Sequence, residues 1–302
     1  MTNPNLYWPI YKNLEREVLD LANNIHFTDC QRGVYSIHIA DLIIRSSTEL
    51  ESLAKDIYRQ EVGNDPVKPG DCFDWLDEQW HISKKQVVIT TQYFYFIQSY
   101  KPAFAPFDYN STEDKNIDDY SERKDFYSMY NSIKHDRIKN INKANINILI
   151  RVMAALYLLN IYFKNQSIPI ANTGFTGENI PEILNLDAKL FGVRVFHTPR
   201  DKIYDEIEKC AYYVCNTQEF AAIKEISKRK EKNLALEGID LGYPPLTINE
   251  VEALISRFPH LKDMVDVDFD IDILMATFPN RIHLELNRKT WKSNNLASSN
   301  VP

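Results

Sequence analysis

The sequence predicts a mainly helical protein, an N-terminal helical bundle with a smaller α+β extension, and three observations carry that reading. Apolar residues recur at three- and four-residue steps in residues 9–25 and along one stripe of residues 28–62. Residues 144–163 are apolar almost throughout, as in the buried central helix of a bundle. Beyond about residue 165 the period is lost, and short extended and helical stretches follow one another. The bundle is expected over residues 1–165, with a mixed insertion at about 63–120, and an α+β domain over 175–302. A chain of 302 residues has room for both cores.

Taken in order, "PIYKNLEREVLDLANNI" (9–25) sets Leu14, Val18, Leu21 and Ile25 on one helix face. A second helix is expected from Thr28 or Asp29 to about Val62, with Ile39, Ile43, Ser46, Leu50, Leu53 and Ile57 along its stripe, until "GNDPVKPGD" stops it. At about 1.5 Å per residue it would form a spine on the order of 50 Å long. "CFDWLDEQWHI" reads as a short helix. "KKQVVITTQYFYFI", rich in β-branched and aromatic residues, reads as a strand or a buried helix, with the strand preferred. Residues 101–120 read as an acidic surface loop. A helix resumes at Ser121 with Phe126, Met129, Tyr130 and Ile133 on one face, the apolar helix 144–163 follows, and "NQSIPIANTGFTGEN" breaks the pattern.

In the C-terminal part "AKLFGVRVF" reads as extended and "EFAAIKEISKRKEKN" as helical. "LTINEVEALISRF" reads as a helix opened by a Thr247–Glu250 capping box and a Leu246–Val251 staple. "VDVDFDIDI" alternates strictly, so as a strand it sets Asp266, Asp268, Asp270 and Asp272 on one face. That is more often a solvated or protected edge than a cation site.

Composition narrows the function. The first residues lack a basic start and apolar run, so no secretory signal is expected. The most apolar stretch carries Asn145, Asn147, Arg151 and Asn160, which hydrocarbon penalises, so a core helix and no membrane partner are expected. Cys30, Cys72, Cys210 and Cys215 form no CxxC pair in a long chain, which points to a reduced, cytoplasmic setting. Cys210 and Cys215 with His197 match no common zinc spacing, there is no P-loop or GxGxxG, and neither metal nor cofactor is expected. The net charge of −7 argues against coating nucleic acid by overall charge. Residues 121–164, however, carry eight cations against three anions, a local +5.

Inside that basic segment lies "YNSIKHDRIKN" (130–140). In a helix Asn131 and His135 are four apart and neighbours, on an edge away from Tyr130 and Ile133. Histidine gives and takes protons near neutral pH, the two steps needed when an RNA 2'-hydroxyl attacks its own phosphate. Lys134, Arg137 and Asn131 are suited to hold that phosphate as its charge grows. The same pattern also describes a solvated helix face. On the long helix Glu51 and Lys55 form an i,i+4 pair within a polar strip of Thr48, Glu51, Lys55 and Arg59, which describes either a solvated face or the lining of a cleft.

A long helix carrying "ELESLAK" (49–55), a later short helix "YNSIKHDR" (130–137) and the apolar helix 144–163 together resemble the HEPN superfamily of helical bundles. The resemblance covers roughly residues 10–164. It implies a metal-independent ribonuclease of a bacterial stress, phage-defence or toxin–antitoxin system, acting on RNA as a homodimer with two motif copies facing one cleft. On that pattern His135 takes the histidine place as general acid/base and Asn131 the polar place. Lys134 and Arg137 would hold phosphate, while Glu51, Lys55 and Tyr130 would line the cleft. The place the family gives to arginine is Tyr130. The alternative from another class is a non-catalytic interaction subunit that binds a protein partner through its acidic loop and its aromatic-rich middle, where Trp75, Trp80, Tyr93, Phe94, Tyr95 and Phe96 crowd together.

Overall fold

The computed structural model describes residues 6–67, 70–101, 103–108, 126–169, 182–196, 207–216 and 282–288. About 57% of these are helical, with some sheet, so the chain is mainly α. The expected helices at 219–233 and 246–258 and the alternating acidic strand at 265–273 lie outside the described residues. So do most of the acidic loop, Cys215's side chain and His197.

Two compact units are present. The first comprises residues 1–166, 182–213 and 286–293, and the second 167–181, 214–285 and 294–302. Strands from beyond residue 182 thus complete the first unit.

At the centre of the first unit is α6 (Ile146–Lys164), buried from Ile146 to Tyr162. By length and composition alone it is apolar enough to cross a membrane, yet 94% of its most apolar window is covered by protein. Its four polar residues show why that burial is tolerated. Asn145 caps the helix by accepting from the Ile148 amide at 3.1 Å, and Asn147 accepts from the Tyr100 hydroxyl. The Arg151 guanidinium donates to the carbonyls of Ala105, Pro106 and Asp108 at 3.2–3.4 Å, and Asn160 donates to the Leu156 carbonyl at 2.9 Å.

Around α6 pack α1 (Tyr7–Asn24) and α2 (Ile37–Val62). The expected stripes are the buried ones: Leu14, Val18 and Leu21 on α1, and Ile39, Ile43, Ser46, Leu50, Leu53 and Ile57 on α2. Arg45 donates to Glu17 at 2.8 Å and Tyr7 to Asp56 at 2.6 Å, fixing α1 across α2.

The start of α2 departs from expectation. It begins at Ile37 rather than near Thr28, which leaves about 39 Å of spine. Residues 27–35 are diverted by tertiary bonds. Phe27 and Thr28 form β1, and the carbonyls of Arg32 and Val34 accept from the amides of Asn147 and Ile146. Ser36 then caps the new start, accepting from the Ile39 amide at 3.1 Å. At the other end Gly63 takes φ 83°, a left-handed close suited to glycine.

The expected helix after Gly70 is α3 (Asp71–Trp80). The expected strand after it is extended but divided into β2 (Val87–Ile89) and β3 (Phe94–Tyr95). β3 pairs in parallel with β1, Phe27 opposite Phe94. β2 pairs antiparallel with β6 (Phe191–Phe196), the "AKLFGVRVF" segment, which also carries β5 (Ile183–Leu184) antiparallel and β7 (Tyr212–Asn216) in parallel. Gly192 is needed for this close pairing, because a Cβ there would meet Ile183 Cγ2 at 2.7 Å. In the second unit β4 (Ile168–Pro169) pairs antiparallel with β8 (Ile282–Leu286).

Candidate functional site

The basic stretch folds as α4 (Phe126–His135) and a short α5 (Arg137–Asn140). Asp136 separates them and caps α5 by accepting from the Lys139 amide at 3.3 Å. Asn140 locks the joint, its side-chain amide donating to the carbonyls of Ser132 at 3.0 Å and Asp136 at 2.9 Å. Arg137 therefore follows His135 across a fixed corner.

One side of α4 is anchored in the core, with Ile133 fully buried and Tyr130 nearly so. The Tyr130 hydroxyl sits 3.4 Å from Oγ1 of Thr48 on α2. One turn further on, the Lys134 ammonium lies 5.2 Å from the centre of the Tyr130 ring, a cation–π contact. His135, Lys134, Arg137 and Lys139 are exposed, and Asn131 and Lys143 are half-buried. The side chains of Phe126 and Met129 lie outside the described residues. Lys139 pairs with Asp136 at 3.2 Å, an exposed pair of the sort worth little and easily given up to a ligand.

Along α2 the expected i,i+4 pair is formed, Lys55 donating to Glu51 at 2.7 Å, both partly shielded. Thr48 stands one turn before Glu51, so Tyr130 is turned onto the polar strip. Arg59, at the far end of the strip, is drawn to Asp56 at 3.0 Å and Asp65 at 2.5 Å. Among the described residues no hydrogen bond or ion pair joins His135 to Glu51 or Lys55. The structure gathers Tyr130, Thr48 and Lys134 at the α2–α4 seam and leaves His135 and Arg137 on the outer edge. Chemically this edge presents a histidine beside several cations.

Two clusters escape the sequence reading. Lys85 is fully buried in a sequence where "KK" reads as surface, and its ammonium donates to the Glu208 carbonyl at 2.8 Å. Burial lowers its pKa to about 7, with the Glu208 carboxylate opposing. Glu208 is also held by Lys84 and by His81 Nδ1 at 3.0 Å. Its burial would raise the carboxyl, but those two partners bring it below the usual range.

The second cluster is the aromatic run. It alternates, with Phe94 and Phe96 inward and Tyr93, Tyr95 and Ile97 outward, the last 79% exposed. The period-two pattern of "YFYFI" was the available signal for it. Of the other aromatics singled out, Trp80 is buried and Trp75 half-buried. Among the described residues no group of His, Cys, Asp and Glu is arranged to hold a metal ion.

Compared with protein-family models, with curated proteins and with solved structures, the chain matches none of them.

Proposed function

We propose that this chain is an RNA-binding protein of a bacterial stress or phage-defence system, working in the cytoplasm, whose α4–α5 edge grips the phosphate backbone and whose His135 serves metal-independent cleavage. The observation that carries the reading is the exposed cationic edge. Lys134, Arg137 and Lys139 are exposed close to His135 in the sequence, half-buried Lys143 follows, and only Asp136 stands among them, in a chain of net charge −7. A charge distribution of this kind favours local contact with a polyanion over general adhesion.

His135 is the general acid/base in this proposal, Asn131 orients the phosphate or the imidazole, and Lys134 and Arg137 hold the phosphate. The finer fold reading, a HEPN-like bundle, belongs to the same proposal. It is supported by the order of α2 with its Glu51–Lys55 pair, short α4 with N-x-x-x-H, and buried α6. A single edge offers one histidine, so a homodimer that faces two copies across a cleft completes the arrangement.

The test is expression of wild type beside His135→Ala, reading growth and total-RNA integrity, with purified protein assayed on RNA in EDTA. The proposal expects wild-type cleavage that persists in EDTA and is lost in the folded variant. Equal RNA integrity in the two strains overturns catalysis. Unchanged RNA affinity in Lys134→Glu/Arg137→Glu overturns the interface.

A second reading, a non-catalytic subunit for a protein partner, draws on the outward row Tyr93, Tyr95 and Ile97. Retention of a partner by wild type and its loss in Tyr95→Glu/Ile97→Glu favours that reading.

A further inference from the structure

The α4–α5 edge continues past Asn140. The chain runs through the turn Ile141–Lys143 to Asn145, where it meets the segment that leads into α2. Tyr35 forms an antiparallel bridge with Asn145, two residues past Lys143. Bonds on either side fix its backbone: the Ile146 amide donates to the Val34 carbonyl at 3.1 Å, and Ser36 caps α2. An aromatic ring is thus anchored beside the end of the run of cations that begins at Lys134.

Tyr35 is 51% exposed. Among the described residues its ring meets no other ring and its hydroxyl bonds to no other group. A second apolar group stands on the same edge. Ile138 is 93% exposed between exposed Arg137 and Lys139, on the corner fixed by Asp136 and Asn140. Neither side chain is buried in the core, so each keeps apolar surface for a ligand. Residues 134–143 carry four cations against Asp136, and residues 29–41 carry Arg32 against Asp29 and Asp41, so the two segments together stay cationic. Both of the latter acids are engaged within the fold, Asp29 by the amides of Ile97, Gln98 and Ser99 and Asp41 by Arg45 at 3.0 Å.

Cations alone suffice to hold a phosphate backbone, whether paired or unpaired. A duplex hides the faces of its bases, so an exposed tyrosine and a projecting isoleucine gain nothing from it. An unpaired strand offers those faces, and every base has one. We propose that Tyr35 stacks on an unpaired base of the RNA held at the α4–α5 edge, with Ile138 against a neighbouring nucleotide, so that this edge selects single strands over duplex. The proposal rests on the RNA reading of that edge and adds to it the two residues that distinguish an unpaired strand from other polyanions.

The experiment is fluorescence anisotropy of the full chain with a short 2'-O-methyl oligoadenylate, which has no free 2'-hydroxyl to attack. The same strand annealed to its complement and inorganic polyphosphate are the comparisons. Wild type is set beside Tyr35→Ala, Tyr35→Leu, Tyr35→Trp, Ile138→Ser and Lys134→Glu/Arg137→Glu, each first checked for an unchanged melting transition. Tyr35→Leu keeps bulk and loses the π-face, which separates stacking from packing. The single strand should bind tightest to wild type. Tyr35→Ala and Tyr35→Leu should each weaken it about tenfold, Tyr35→Trp should retain it, and Ile138→Ser should weaken it less. Affinity for duplex and polyphosphate should not change in the Tyr35 variants, nor should the salt slope, because the ring neutralises no phosphate. Duplex bound as tightly as single strand overturns the proposal, as does a Tyr35→Leu protein with unchanged affinity or with an equal loss for polyphosphate. If Lys134→Glu/Arg137→Glu abolishes RNA binding while the Tyr35 variants bind like wild type, this proposal falls and the RNA reading stands. If wild type binds neither strand nor duplex, both fall.

Discussion

The Tyr130 hydroxyl lies 3.4 Å from Oγ1 of Thr48, a contact that fastens α4 to α2. The nearly full burial of Tyr130 makes this a packing relationship first. Tyr130→Phe keeps the ring and loses a long hydrogen bond, and is expected to cost no more than about 1 kcal/mol. Tyr130→Ala opens a cavity between the helices and should cost about 3 to 5 kcal/mol. Urea unfolding of the two variants checks both. A Tyr130→Phe protein that still handles RNA would assign the residue to structure.

Lys85 makes a prediction about pH. Its folded pKa of about 7 lies below the 10.5 of an ordinary lysine, because burial disfavours the charged amine. Between pH 7 and 10.5 the unfolded chain holds the proton and the folded chain has released it, so stability rises with pH across that window. Below pH 7 both states hold the proton and the cost is constant. Lys85→Met removes the cost and should stabilise the protein at pH 7 by on the order of 3 kcal/mol. The difference in urea midpoint between variant and wild type should shrink as pH climbs from 7 to 9.5. A constant difference would show that Lys85 does not titrate in this range.

Asp29 predicts a slope of the same sign, at acid pH. Burial alone would raise its carboxyl, but the Ser99 hydroxyl and the amides of Ile97, Ser99 and Gln98 hold it well below the usual carboxylate range. A depressed folded pKa contributes stability that is present above the unfolded value and lost as pH falls through the folded one. Asp29→Asn keeps the shape but loses the charge, and should cost about 2 kcal/mol near neutrality. The variant should also lose the part of the acid-side slope that Asp29 supplies. Hydrogen exchange at residues 97–99 should quicken in the variant.

The RNA reading predicts a salt dependence. If Lys134 and Arg137 each neutralise one phosphate, the double charge reversal removes at least two counterion-releasing contacts. The slope of log Kobs against log salt should then become shallower by about 1.4 for single-stranded RNA. Fluorescence anisotropy at 50 to about 200 mM salt reads this slope. A lower affinity with an unchanged slope would place the effect outside phosphate contact.

The sequence by itself determined the helices, because their information is local. The stripes of α1 and α2, the apolar run of α6 and the Glu51–Lys55 pair each need only neighbours within one or two turns. It also determined that α4 carries Asn131 and His135 one turn apart beside several cations. Whatever depends on partners far along the chain was decided by the tertiary structure. α2 starts at Ile37 because the carbonyls of Arg32 and Val34 are taken by amides of α6, more than a hundred residues away. Lys85 is buried because the turn at Glu208 supplies a carbonyl to its ammonium, and no local feature distinguishes it from its exposed neighbour Lys84. The aromatic run divides into an inner wall and an outer row because β3 pairs with β1 and Asp29 caps the turn that follows it. Hydrogen bonds and burial of this kind are set by which distant groups meet, and sequence spacing carries no record of that meeting.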